Sequence, residues 1–176
     1  MRSTRILSWI AGLMLLTVAL LYVAGLLMPR EHRARSCITL TQPAESLWAV
    51  MRNIEGTPAW WPELTRVTRV DSAGRERWRE EMGDWTTTVT VEETAPGSEF
   101  HTIIEVAPDS VYGGRWTYQL TPSPVGQTAC VTEEGWIGSP IFRVISRLMG
   151  QHGSLDSYLT ALAPRFGTEY RREHLD

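Results

Sequence analysis

Lysine is missing from this 176-residue chain, and all 17 basic residues are arginine. With no amine side chain, a Schiff-base nucleophile and a phosphate-loop lysine are both excluded. Cysteine is scarce, with only Cys37 and Cys130, and the four histidines, His32, His101, His152 and His174, are far apart. Neither a zinc spacing nor a paired-histidine motif occurs, so nothing calls for a protein-ligated metal or a cofactor. Positive charge is short as well. From Ser36 onward 12 Arg stand against 19 Asp and Glu, a net of −7. That balance argues against nucleic acid as a partner, which calls for a basic face. Ser139 and Ser154 lack the elbow motif and the placed base of a nucleophilic serine. Gly113-Gly114-Arg115 leads into a strand, so it is no phosphate loop.

What is present begins with an apolar run. Ile6 to Met28 contains only Ser8 and Thr17 as clearly polar residues. A helix of that length, at ~1.5 Å per residue, spans a hydrocarbon core of ~30 Å. A cleaved signal peptide has a shorter apolar region, ~7–15 residues, and ends in a small-x-small site. This run ends at Leu26, Leu27, Met28 and Pro29 instead. Residues 1–30 are therefore expected to be a retained, single-pass membrane anchor, spanning with residues 6–28. Arg2 and Arg5 on one side nearly balance Arg30, Arg33 and Arg35 on the other, so the flanking charges assign no side to the soluble domain.

The remaining chain reads as α+β. Residues 33–41 alternate as a strand. Thr41 as cap, Pro43 and Glu45 open a short helix with Leu47, Trp48 and Met51 on its apolar side. A second short turn holds "PAWWPEL", residues 58–64, which fixes Trp60 and Trp61 between two prolines. Six strands follow in meander order: one around Val67 and Val70, then 75–82, 85–93, 99–106, 114–122 and 127–136, with turn signals between them. Ser139-Pro140 caps a final helix. Its apolar stripe runs Ile141, Ile145, Leu148, His152, Leu155, Leu159, Leu162 and Phe166, the 4-and-3 spacing of one long helix. Gly150 and Gly153 weaken its middle, and Gly167 ends it. Residues 168–176 form a polar tail.

This order resembles the helix-grip proteins, the START-related or SRPBCC superfamily, which includes polyketide cyclase/dehydrase-like proteins and the major birch-pollen allergen. The resemblance covers residues 33–167. It is carried by "PAESLWAVMRNIEGTPAWWPEL", "GGRWTYQL", "GQTACVTEEGWIGSPIFR" and "SLDSYLTALAPRFG". It implies a curved seven-stranded antiparallel sheet wrapped around a long C-terminal helix, with two short helices after the first strand and a hydrophobic cavity between sheet and helix. Members share no single activity. In such a fold Trp60 and Trp61 close one end of the cavity, or else pack the junction of helices and sheet. The first and last strands are neighbours there, which brings Cys37 near Cys130.

The candidate cavity residues are Trp61, Trp78, Trp85, Ile104, Trp116, Tyr118, Trp136, Ile145, Leu148, His152 and Leu155. His152 takes a place in the stripe where leucine would serve. It is either an acid/base or ligand anchor, or a core histidine bonded to a strand carbonyl or carboxylate. Glu133 and Glu134 point to opposite faces, and Glu134 is inward if Trp136 is. Glu80 shares a face with Trp78. An inward carboxylate is costly unless it is bonded or holds its proton.

The leading functional expectation is membrane-anchored binding of a small hydrophobic ligand, such as a lipid, isoprenoid or polyketide-like compound. One alternative is a cyclase or dehydratase using His152 with Glu134 or Glu80. Another is a partner-binding module with a filled core. The anchor predicts that the protein stays with membranes through a high-salt wash and still carries Met1–Met28. Fractionation with N-terminal sequencing checks this, and a free chain starting near Arg30 would refute it.

Overall fold

The computed structural model describes residues 2–108, 110–172 and 174, without the side chains of residues 2–5, 7 and 8. Arg2 and Arg5, which entered the charge comparison, and part of the 168–176 tail thus lie outside the described side chains. The chain begins with helix α1 (Arg2–Leu27) and continues into β1 (Glu31–Leu40) after only three residues. Next come α2 (Ala44–Met51) and a 3-10 turn, Ile54–Ala59. The meander is β2 (Arg66–Arg69), β3 (Glu76–Met82), β4 (Trp85–Ala95), β5 (Glu99–Ile104), β6 (Tyr112–Ser123) and β7 (Gly126–Ile137). Two helices, α3 (Pro140–Met149) and α4 (Gly153–Leu162), lead to a second 3-10 turn, Ala163–Phe166.

All seven strands form one antiparallel sheet in the order β1-β7-β6-β5-β4-β3-β2. β1 pairs with β7 because its chain returns to the far edge of the meander. The register sets Cys37 directly opposite Cys130, with Cα atoms 4.1 Å apart and the two sulfurs bonded. This pair was expected from the fold to lie close together.

The inner face of the sheet carries Ala34, Ile38, Leu40, Trp78, Val89, Val91, Phe100, Tyr118, Leu120, Ala129 and Val131, all buried. They pack on Leu47 and Met51 of α2 and on Leu155, Tyr158, Leu159 and Leu162 of α4. Aromatic rings dominate the contact. Phe100 stacks on Tyr118 at 4.4 Å, and Tyr158 meets Trp60, Trp61, Trp116 and Tyr118 edge-on. Arg52, just past α2, donates to both carboxylate oxygens of Glu76 at 3.0 and 2.5 Å and so ties α2 to β3.

The C-terminal helix differs from expectation. It is not one rod: Gly150 has φ +89°, a backbone region that L side chains rarely adopt, and the chain turns there. The stripe therefore divides. Leu155, Leu159 and Leu162 are fully buried, whereas Ile145 is 42% and Leu148 81% exposed. The expected start is present, with Ser139 Oγ accepting from Phe142 N and Pro140 in the first turn. The end is present too, with Gly167 in the left-handed region.

α3 turns toward α1. Its buried Arg143 donates to four main-chain carbonyls: Nε to Ile137 O at 2.8 Å, Nη2 to Gly138 O at 2.9 Å, and Nη1 to Gly25 O at 3.0 Å and Met28 O at 3.2 Å. The last two are carbonyls at the C-terminal end of α1, where a cation is favoured. A Cβ on Gly25 would stand 1.9 Å from Pro140 O, so only glycine allows this crossing. Trp9–Leu27 of α1 has a mean hydropathy of 2.4 and is almost wholly exposed. It is the one described helix long and apolar enough to cross a membrane.

Tyr170 and His174, both after the last 3-10 turn, are held against α4. Asp156 of α4 accepts from Ser36 Oγ, Tyr170 Oη and His174 Nε2. Burial works to raise the Asp156 carboxyl. The hydrogen bonds from Tyr170, His174 and Ser36 outweigh it and hold the group below its usual range.

The divided stripe gives a direct expectation. Leu155→Ala should cost ~2–5 kcal/mol, as at other fully buried leucines. Leu148→Ala should stay within ~0.5 kcal/mol. Denaturant unfolding of both variants in detergent measures the contrast, and equal losses would contradict the division.

Candidate functional site

The curved sheet exposes more inner face than α4 covers, and a cavity of about 320 Å³ remains at the end nearer α3. β3 and β4 contribute Glu80, Met82, Trp85, Thr87 and Val89. Thr102, Ile104, Tyr112, Trp116 and Tyr118 come from β5 and β6, and Glu133 from β7. Trp61 and Glu63 follow the first 3-10 turn, and Phe142 and Ser154 belong to the two C-terminal helices. The volume lies in the range of small-molecule sites, as does a lining that is mostly apolar with a few polar groups.

The tryptophan pair separates. Trp61 is 4% exposed; its Nε1 donates to Ser157 Oγ at 3.1 Å, and Ser157 Oγ donates to Glu63 at 2.6 Å. Its ring lies 5.9 Å from that of Trp116. Trp60 points the other way. It packs edge-on against Tyr158 at 5.2 Å and lines an open groove on the outside, beside Pro62, His152, Asp156 and His174. Only Trp61 is therefore at the cavity wall. The prolines fix the turn that aims the neighbours apart.

Of the other candidates, Trp85, Ile104, Trp116, Tyr118 and Glu80 line the cavity. Trp78 is in the solid core beside it, with Nε1 donating to Glu76 at 2.8 Å. Leu155 is likewise core rather than wall. Ile145 and Leu148 face outward because the helix breaks. His152 opens α4 in the outer groove, its ring stacked on His174 at 3.9 Å. It lines neither the cavity with Glu80 nor the face that holds Glu134. The break at Gly150 removes it from the stripe.

Trp136 and Glu134 do share a face, but it is the outer one. Glu134 sits in register between Arg33 and Arg115 and accepts from Arg115 at 2.6 and 2.8 Å. Arg115 holds the Glu134 carboxyl below its usual range. Trp136 lies beneath the Arg30 guanidinium, 6.0 Å from the ring centre.

The inward member of the pair is Glu133, opposite Ala34 and Trp116. It pairs with His32 Nε2 at 3.3 Å. His32 faces inward because Gly135, its partner across the ladder, leaves room: a Cβ there would lie 2.9 Å from the His32 ring. Alternation along β1 from Ala34 carries that signal. Glu80 is the second inward carboxyl, and burial pushes it up to about 7. Burial also raises the phenols of Tyr118 and Tyr158. The cavity wall thus presents Glu80 and Glu133, with Glu63 beside them, and no basic side chain. Among the described residues no cluster fit to hold a metal occurs.

A family model described as polyketide cyclase / dehydrase and lipid transport matches residues 31–166. No curated protein matches the chain. Solved structures share the fold at low identity. A START superfamily protein from Mycobacterium smegmatis is 16% identical with a TM-score of 0.61, over 77% of this chain and 97% of that one. The di-domain ARO/CYC BexL from the BE-7585A biosynthetic pathway is 11% identical with a TM-score of 0.65, over 84% of this chain. The di-domain ARO/CYC StfQ from the steffimycin biosynthetic pathway is 12% identical with a TM-score of 0.61, over 75%. This chain spans about half the length of the two di-domain proteins, 53% and 49%. The family match runs from β1 through the last 3-10 turn, and the chain belongs to the polyketide cyclase/dehydrase and lipid-transport family.

Proposed function

We propose that this protein binds a small, largely apolar molecule in the cavity and keeps that cavity at a membrane through α1. The carrying observation is the wall: aromatic and aliphatic side chains, two inward carboxyls and no cation. Apolar ligand surface contributes ~25 cal/mol per Å² buried, before the costs of association. Glu80 and Glu133 set the polarity of the ligand's other end. Ionised, they accept hydrogen bonds from a hydroxyl or an ammonium and repel a carboxylate or phosphate. The preferred class is therefore a neutral alcohol or phenol, or an amine, with an apolar body.

Two features support a retained anchor over a cleaved leader. Arg143 closes the end of α1 from within the folded domain, and Gly25 is shaped to the α3 crossing. The paired cysteines support a soluble domain on the oxidising side of the membrane. Unreduced protein from intact membranes should take up no thiol-reactive polymer, and two modified cysteines would refute that placement.

A second reading has one observation in its favour. A carboxyl near 7 is suited to proton transfer at neutral pH, so Glu80 rather than His152 or Glu134 is the acid/base of any cyclase or dehydratase chemistry.

The test uses an alkylamine, an alcohol and a fatty acid of equal chain length, each read out by displacement of an apolar fluorescent probe that quenches tryptophan emission. Amine and alcohol should bind and the fatty acid should not. Amine affinity should rise as pH passes upward through about 7, where Glu80 loses its proton. Glu80→Gln should flatten that profile and leave the alcohol bound. Equal binding of the fatty acid would overturn the assignment. Stability carries the same signature with a definite sign. Glu80 holds a proton in the folded chain between its ordinary value of 4.5 and about 7. Stability from this group therefore falls as pH rises through that window, by up to about 3 kcal/mol, and Glu80→Gln should remove the fall.

A further inference from the structure

We infer that α3 lies in the lipid interface beside the exit point of α1, so that the cavity opens onto the same leaflet. This rests on the reading of α1 as a membrane span.

The first ground is depth. Gly25 belongs to the apolar stretch Trp9–Leu27, two residues from its end. At ~1.5 Å per residue that is ~3 Å inside the boundary. The main chain of Pro140 touches α1 at this glycine, closely enough that a Cβ would lie 1.9 Å from its carbonyl oxygen. The first turn of α3 therefore starts at the edge of the hydrocarbon.

The second ground is rigidity. Three residues join α1 to β1, and Ile137 N donates to Arg30 O within that join. Arg143 fastens both sides of it through its four carbonyl acceptors. No slack remains to lift the domain off the surface.

The third ground is the exposed face of α3. Phe142, Ile145, Leu148 and Met149 are 45%, 42%, 81% and 79% exposed. Positions i, i+3, i+6 and i+7 fall on one side of a helix, and Arg143 lies on another. An amphipathic helix presenting such a side at a lipid boundary buries it there. The stripe that serves the core in α4 serves the bilayer in α3.

The cavity shares this surface. Phe142 is both a member of the α3 stripe and part of the cavity wall. Trp85, also on the wall, is 61% exposed and meets Tyr112 edge-on at 6.4 Å. An exposed tryptophan at a headgroup boundary is a common interfacial anchor. Val111, 55% exposed, adjoins the α3 start through the Gly138 N bond to its carbonyl at 2.7 Å. An apolar ligand passing along this surface leaves the leaflet for the cavity without crossing water.

The full-length protein, reconstituted in phosphatidylcholine–phosphatidylglycerol vesicles, tests this with a fluorophore on Leu148→Cys, the native cysteines being held in their bridge. Ile145→Cys serves as a second site and Leu15→Cys as the control within α1. Nitroxides on shallow acyl positions should extinguish the α3 labels, and aqueous iodide should not; deep nitroxides should extinguish the Leu15 label. Iodide quenching of the α3 labels with a lipid-quenched Leu15 label would overturn the placement of α3 alone. An iodide-quenched Leu15 label would overturn the span and this inference with it. Protection of the α3 labels from both quenchers would show a protein partner on the stripe and overturn the lipid assignment.

Discussion

A single backbone choice at Gly150, φ +89°, governs how the rest of the chain is used. Left as one helix, residues 140–166 would carry a continuous apolar stripe along the sheet. Divided, the second half fills the core with Leu155, Leu159 and Leu162, and the first half swings out to α1. The end of the sheet that α3 vacates has no helix packed flat against it, only Trp61, Phe142 and Ser154 at the cavity wall. That shortage of covering helix is the cavity. The same break brings Arg143 to the carbonyls at the end of α1, so that its guanidinium serves four acceptors, two there and two at Ile137 and Gly138, in a fixed fork.

The chemistry of the cavity follows from where the arginines went. With no lysine, every basic group on the described strands other than His32 and His101 carries a guanidinium. The inner register positions exclude it: Arg33 and Arg115 face Glu134 on the outside, Arg77 pairs with Glu105, and Arg35 bonds Gln119. The inner face keeps Glu80 and Glu133 without an opposing arginine. Burial then holds the proton on Glu80 into the neutral range, while Glu133 finds His32. Such a wall differs in sign from one built to hold an anionic headgroup.

Much of the fold was legible in the sequence. Turn residues between segments and apolar alternation within them marked the seven strands, because those signals are local. The apolar run of α1 was legible for the same reason, and so were the Ser139-Pro140 start and the Gly167 stop of the last helical region. Ile104, Trp116 and Tyr118 could be named as inward because alternation along a strand needs only a face to be chosen, and Trp61 because the prolines around it fix a turn. Where the choice of face depended on a partner strand, the reading failed. Glu134 and Trp136 were rightly placed together and wrongly placed inside, since only the register of β7 between β1 and β6 sets Glu134 against two arginines.

Sequence periodicity also ran straight through Gly150. A glycine permits a turn but does not demand one. Whether the stripe continues is decided by what the first half can pack against, and α1 lies more than a hundred residues away along the chain. His152 lost its place in the cavity, and Phe142 gained one, for that reason. The sequence by itself determined the order and the kind of each element, through local propensity and hydrophobic spacing. Tertiary structure alone decided which carboxylate faces inward and which half of a stripe meets protein, because both depend on surfaces brought together only by folding.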